Sequence, residues 1–384
     1  MDWKALVSAE IEANRALLEN LVLEIGANPE LGFVEYEASR LLASTLQEAG
    51  YGVTMGVAGL ETAFRGVLGS GRPNLALLCE YDALPEIGHA CGHNLIGVAS
   101  VGAALGLAPF LPKLGGQVTV LGAPGEETGA GKVTLVGAGV FGDIDAALMF
   151  HPASINLLMS GSNALDAYEF VFTGKEAHAA SAPEEGINAL DGVIFLFNGI
   201  NALREHLPDS VRVHGIISEG GQAPNVVPKR AVARFYIRAP QRALLDATTA
   251  KVLRVAEGAA LMSGTQVSWS KFEPSNDNLV PNQPLALAFG ANLQKLGVTD
   301  IQEHAEGRGS SDMGNVSQVV PSIHPYLSIG EGLVAHTPEF AQAAQGPQGL
   351  ETMILASQAL AYTVIDLLVN PLLLQSVQRE HERS

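Results

Sequence analysis

The stretch Gln117-Val-Thr-Val-Leu-Gly-Ala-Pro-Gly-Glu-Glu-Thr-Gly129 decides how the chain is read. Gln117–Leu121 is apolar and β-branched, the pattern of a buried strand. Pro124 and Gly125 stop it. Glu126 and Glu127 then stand at the carboxyl end of that strand in an apolar neighbourhood, the place where ligands bind in open α/β sheets. Adjacent carboxylates repel, so burying both requires a cation. One can ligate a metal while the other, facing the opposite way, stays free as a base. Taken alone, the pair fits an exposed acidic turn equally well.

Working outward, the same edge gathers more polar side chains. Residues 3–26 carry helical apolar spacing and read as one helix ended by Asn28-Pro29-Glu30. A second helix spans Glu37 to Ala49 and is closed by Gly50. Short strands follow at Tyr51–Met55, Thr62–Val67 and Leu75–Cys79, the last continuous and therefore central. Asp82 falls just past it. Gly88-His-Ala-Cys-Gly-His-Asn94 opens a buried helix running toward Leu111. Cys91 and His93, at a loop-to-helix junction, pair a soft thiolate with an imidazole, donors suited to zinc and similar ions. The helix N-terminus favours thiolate. The strand Asp145–Phe150 ends in His151-Pro152. Asp82, Cys91, His93, Glu126, Glu127 and His151 thus share one sheet edge, and this coincidence of placement argues for a metal site. Glu126–Lys132 resembles a phosphate loop but fails it, with Glu126 at the first Gly position and Val133 after the Lys. Nucleotide binding is excluded on that ground.

Around Asp166 the texture changes to half-exposed alternating strands at 168–173, 211–217, 231–237 and 266–272, with helices at 188–206 and 241–262. The order strand–helix–strand–strand–helix–strand is ferredoxin-like. The expected organisation is a catalytic domain in two parts, 1–164 and 276–384, interrupted by an inserted domain at 165–275. The second part ends in a helix from Gly349 to Leu368. Near its middle lie Arg308-Gly-Ser-Ser-Asp-Met-Gly314 and Ala335-His336-Thr-Pro-Glu339. His336 can close the metal site from the far end of the chain.

Bulk properties narrow the function. The 384 residues suffice for a full core, and a formal charge of −18 opposes nucleic acid and anionic membrane as partners. An anionic substrate needs local Arg or Lys. Two cysteines, Cys79 and Cys91, make no disulfide framework, and Met1-Asp-Trp-Lys leads into a charged helix rather than an export signal. A cytoplasmic protein with no membrane span is expected.

Taken in order, the motifs resemble the metallopeptidase family 20 group of aminoacylases, glutamate carboxypeptidases, amidohydrolases and dipeptidases. The match covers Tyr81-Asp-Ala-Leu-Pro85, His89-Ala-Cys-Gly-His93, Pro124-Gly-Glu-Glu127 and His151-Pro152. It continues through Gly174-Lys-Glu-Ala-His-Ala179, Asn225-Val-Val-Pro228, Arg238, Ser310-Ser-Asp-Met-Gly314 and His336. The resemblance implies a zinc-peptidase-like α/β/α catalytic domain with an inserted ferredoxin-like α+β dimerisation, or lid, domain. It implies one or two divalent ions (zinc or manganese, with cobalt an option) held by Cys91, His93, Glu127, His151 and His336. Glu126 would be the general base, with Asp82 supporting the catalytic centre. His178 would stabilise the oxyanion in the partner's active site. Asn225 and Arg238 would bind substrate, Arg238 at a carboxylate, and residues 165–275 would form a homodimer.

One departure stands out: Asn94 occupies a position that is usually Asp, so no negative charge is available there to raise the basicity of a ligand. Asn94-Leu-Ile-Gly97 and Asp312–Ser317 are most similar to the dipeptidase-like and aminobenzoyl-glutamate hydrolase-like members. The expected activity is hydrolysis of an amide in an N-acyl amino acid, an aminobenzoyl-glutamate-like conjugate or a dipeptide. The alternatives are a non-catalytic peptide-binding or partner subunit, and a thiol hydrolase using Cys91.

Overall fold

The computed structural model describes residues 1–305, 307 and 309–383. Arg308, two residues before the family-like motif Ser310–Gly314 in sequence, lies outside the described residues. The chain divides into two compact units, Met1–Gly161 with Leu279–Ser384, and Ser162–Asn278.

The first unit is built on a six-stranded sheet. Its order is Gly52–Met55, Phe64–Ser70, Gly116–Gly122, Asn74–Cys79, Ala146–Leu148 and Ser322–Ile323. Asn74–Cys79 is wholly buried and runs parallel to both neighbours, with Leu77 opposite Val120 on one side and Leu148 on the other. A strand covered on both faces reads as an unbroken apolar run, which is what its sequence shows. Every residue of the helix His93–Leu107 is buried. Pro347–Val369 is the one helix among the described residues long and apolar enough to cross a membrane, and most of it lies inside this core.

Three differences from the sequence reading bear on the architecture. The N-terminal helix is two, Trp3–Ala13 and Arg15–Ala27. Asn14 separates them, its amide donating back to the Glu10 carbonyl at 2.9 Å, the local competition that makes Asn a poor helix-interior residue. The strand expected over Asp145–Phe150 is shorter, and His151, expected just past its end, opens a strand of its own. Ala146–Leu148 stays in the large sheet, and His151–Ala153 joins a second sheet beside Tyr326–Ser328, Leu157–Ser160 and Gln302–Ala305. A further helix, Pro371–His381, follows the expected last one. Asn370 caps it by accepting the Leu373 N–H, and Pro371 at its first position starts a helix as readily as it ends the one before.

The second unit is an antiparallel sheet in the order Gln266–Lys271, Ala164–Thr173, Arg230–Ala239, Arg212–Glu219, with helices Ala189–Arg204 and Arg242–Ser263. Phe170, Phe172, Phe235, Val193, Leu196 and Val252 form its own core. The strand order and the two crossing helices are those of a ferredoxin-like fold.

Candidate active site

The carboxyl edge of the large sheet carries the cluster. Past Cys79 the chain enters Glu80-Tyr81-Asp82, all buried. Asp82 does two things. Its Oδ1 lies 2.8 Å from His93 Nδ1, and its Oδ2 accepts the Glu127 N–H at 2.9 Å. Because a carboxylate only accepts, the His93 proton sits on Nδ1 and Nε2 faces away from Asp82. Gly92, just before the helix, adopts φ +77°, and a Cβ there would stand 2.5 Å from the Pro152 ring. Only glycine lets the helix begin so that His93 points inward.

His151 is fixed in the same manner, its Nδ1 2.7 Å from the Pro152 carbonyl. Its Nε2 therefore faces Cys91 Sγ, 3.5 Å away. His336 arrives from the far end of the chain. Its backbone is left-handed at φ +66°, its N–H donates to the Ala90 carbonyl at 2.8 Å, and its Nε2 lies 3.2 Å from Glu127 Oε1. A left-handed non-glycine residue is a strained arrangement that the surrounding structure has to hold in place.

The donor atoms form three overlapping triplets, Cys91–His93–His151, Cys91–Glu127–His336 and His93–Glu126–Glu127, each within 4.8 Å. Among the described residues, the buried His93 Nε2 and Glu127 Oε1 make no hydrogen bond of good geometry, their nearest charged neighbours being Glu80 and His336. Buried polar atoms left in this way are costly unless something binds them. The residues therefore fit a divalent cation: sulfur, imidazole nitrogen and carboxylate oxygen are the donors of zinc and its neighbours.

Electrostatics separate the members. Burial opposes a charged His93, but Asp82, Cys91 and Glu80 outweigh it and raise the ring well above its ordinary value. Burial lowers His151 to about 4. Burial also pushes the Cys91 thiol up, so the helix N-terminus does not by itself yield the thiolate expected from the sequence. Burial, with the charges of Glu80 and Asp312, holds Glu126 well above the usual carboxylate range.

Several residues escaped the sequence reading. Lys132, dismissed with the failed phosphate loop, is completely buried, its Nζ 2.5 Å from both Glu80 Oε1 and Asp312 Oδ1. It is spoken for and cannot meet a phosphate. Glu80 Oε2 in turn lies 3.5 Å from His93 Nε2. His324 is buried, neither ring nitrogen hydrogen-bonded among the described residues, its ring 5.3 Å from that of His151. A polar residue directly after an all-apolar strand, as Glu80 is, was the available signal. The Asn94 amide donates to the Val22 carbonyl at 3.3 Å, while Asp82 is the carboxylate on His93. An Asp at 94 could not donate there.

The second unit holds His178, Asn225 and Arg238. The first two are neighbours: Ala179 N donates to the Asn225 carbonyl at 3.0 Å, and His178 bridges Val226. His178 Nδ1 accepts the N–H groups of Ala180 and Ser181, which leaves Nε2 as the protonated, outward nitrogen. Arg238 lies on the strand Arg230–Ala239, its guanidinium 5.5 Å from the Tyr236 ring centre.

Comparison with known proteins decides the family. Residues 161–261 match the peptidase dimerisation domain of the M20 family. The Xaa-Arg dipeptidase of Mus musculus is 38% identical over 375 residues, covering 93% of this chain and 86% of the relative. The chain belongs to the M20 peptidase family. One chain of the p-aminobenzoyl-glutamate hydrolase of Escherichia coli (strain K12) is 31% identical, covering 97% of this chain and 93% of its own length. Among solved structures, a dinuclear metal-binding M20 peptidase of Bacillus subtilis superposes with a TM-score of 0.70 at 23% identity, over 93% of this chain and 99% of that one. This M20 chain is a metal-dependent hydrolase of amide bonds, with a mixed α/β catalytic unit and an inserted dimerisation domain.

Proposed function

We propose that this M20 peptidase releases a free amino acid from a dipeptide, with a basic C-terminal residue preferred over a glutamate conjugate or an N-acyl amino acid. The convergence of Cys91, His93, Glu127 and His336 donors and His151 around Glu126 carries the catalytic part of the reading. Those five residues would hold one or two divalent ions, zinc or manganese, with cobalt as a substitute. When bound, such an ion polarises the amide carbonyl and brings the pKa of water toward about 7.

Glu126 takes the proton of the attacking water and returns it to the leaving nitrogen as the tetrahedral carbon collapses. Asp82 keeps the His93 proton on Nδ1 and fixes the backbone of Glu127. His178 would donate its Nε2 proton to the oxyanion developing in the partner subunit's active site, a contribution worth roughly 100- to 1,000-fold in rate. Its Nδ1 contacts support that tautomer. Arg238 pairs with the carboxylate of the released amino acid through its planar fork, and Asn225 contacts the substrate. The family's dimerisation domain and the exposed Ile216 and Ile217 on the edge strand Arg212–Glu219 support a homodimer formed through residues 165–275. Two unpaired cysteines support a reducing compartment, the cytoplasm.

The substrate preference rests on charge and on the relatives. The net −18 attracts cations over distance, and the dipeptidase relatives named for arginine are more similar than the glutamate hydrolase. The test is a panel of Xaa-Arg dipeptides, aminobenzoyl-glutamate and N-acetyl amino acids with the metal-loaded enzyme. A higher kcat/KM for Xaa-Arg, falling as salt rises, is expected. Faster cleavage of aminobenzoyl-glutamate would overturn the preference.

A further inference from the structure

The turn that carries Glu126 is held from both sides by buried carboxylates. On the far side, Asp82 accepts the Glu127 N–H. On the near side, the Gly125 N–H donates to Glu35 Oε1 at 2.8 Å, across 90 positions of sequence. Glu35 is fully buried, and its Oε2 accepts the Thr62 hydroxyl, also at 2.8 Å. The Thr62 carbonyl in turn accepts the Tyr81 hydroxyl at 2.7 Å, next door to Asp82. The backbone N–H groups on either side of Glu126 are thus both anchored.

Glu35 is free to do this because another residue does its local work. It precedes the helix Tyr36–Glu48, yet makes no side-chain cap there. Glu30 caps that helix instead, accepting the N–H groups of Glu37 and Ala38 at 3.1 and 2.9 Å. The loop between them is shaped to meet the turn. Phe33 takes a left-handed φ of +68°, and its ring lies so close to Gly125, itself at φ +68°, that a Cβ there would stand 2.8 Å from it. A buried carboxyl that neglects its own helix end and reaches a distant turn is a costly arrangement, and the turn it reaches is the one bearing the base.

We propose that Glu35 is a positioning residue for Glu126, fixing the Gly125–Glu127 turn so that the base carboxylate is correctly aimed. This rests on the reading of Glu126 as the base. The test compares Glu35→Ala, Glu35→Gln and Glu126→Gln in the full-length, metal-loaded enzyme. Its readouts are hydrogen exchange at the Gly125 amide, bound metal per chain, and kcat and KM on an Xaa-Arg dipeptide. Glu35→Ala should lose Gly125 protection and about 10- to 100-fold in kcat, with KM and metal within about twofold of wild type. Glu35→Gln, whose amide oxygen still accepts, should keep both.

An Ala variant with wild-type kcat would overturn the proposal. So would kcat, KM and metal all failing together, or a Gln variant as impaired as the Ala one. An active Glu126→Gln, or no dipeptide cleavage by wild type, would sink the base reading instead; an unprotected Gly125 amide in wild type would then still refute the Glu35 contact separately. Should Glu35→Ala not fold, Thr62→Val releases only the second oxygen of Glu35. It should lower kcat at constant KM, and unchanged kcat would count against the proposal.

Discussion

Asp82 Oδ1 stands 2.8 Å from His93 Nδ1 while its other oxygen holds the backbone of Glu127. One buried carboxylate therefore sets the orientation of two proposed metal ligands that are far apart in sequence. Although burial opposes its charge, His93 and the Glu127 N–H keep Asp82 below its ordinary pKa, so it stays a carboxylate.

Replacing Asp82 with Ala should weaken metal binding by about 10- to 100-fold, the usual effect of removing the partner behind a ligating histidine. Titration with a competing chelator measures this. Unchanged affinity would mean that His93 is not a ligand or does not need Asp82.

Lys132 is the cation between Glu80 and Asp312, and all three are buried. Lys132→Met should cost roughly 3–5 kcal/mol in urea unfolding, because two carboxylates are left uncompensated. A loss under about 1 kcal/mol would show that Glu80 and Asp312 are not both ionised in the folded chain.

Asn94→Asp supplies the negative charge expected at this position from the family resemblance, yet it should destabilise this chain. The Val22 carbonyl loses its donor and faces a carboxylate, a change worth about 1–3 kcal/mol. The same variant should leave metal affinity unaltered. A gain in affinity would return Asn94 to the role expected from the sequence.

Burial raises Glu35 to about 7 from an ordinary 4.5. The folded chain then binds the proton more tightly than the unfolded chain. The resulting stabilisation is complete below about 4.5 and is lost as pH rises through about 7. Glu35→Gln removes that dependence. The stability difference between wild type and this variant, measured across pH 4–8, should therefore shift against wild type as pH rises. A difference that is flat with pH would contradict the raised value.

The sequence was most informative where a strand or helix declares itself by pattern. The all-apolar Asn74–Cys79, the alternating strands of the inserted unit, and the polar residues placed at strand ends gave the architecture and drew Cys91, His93, Glu127 and His151 together. Contacts made by isolated side chains across long separations were not legible. Nothing in the local sequence of Glu35 ties it to Gly125, and Lys132 looks like the end of a failed phosphate loop. Asn94 misleads because, although it follows His93 in the helix, its amide turns to the Val22 carbonyl. Asn14 and Pro371 act through local chemistry that apolar periodicity does not register, the Asn side chain competing for a helix carbonyl and the Pro sitting at the first position of a new helix.

Hydrolysis of an Xaa-Arg dipeptide before chelation, after chelation and after adding back zinc, manganese or cobalt, with bound metal counted by elemental analysis, tests the central claim most directly. Activity should vanish with the metal and return with one of these ions, and Glu126→Gln should bind that ion yet lose at least about 100-fold in turnover. Hydrolysis that survives complete removal of the metal would contradict the account.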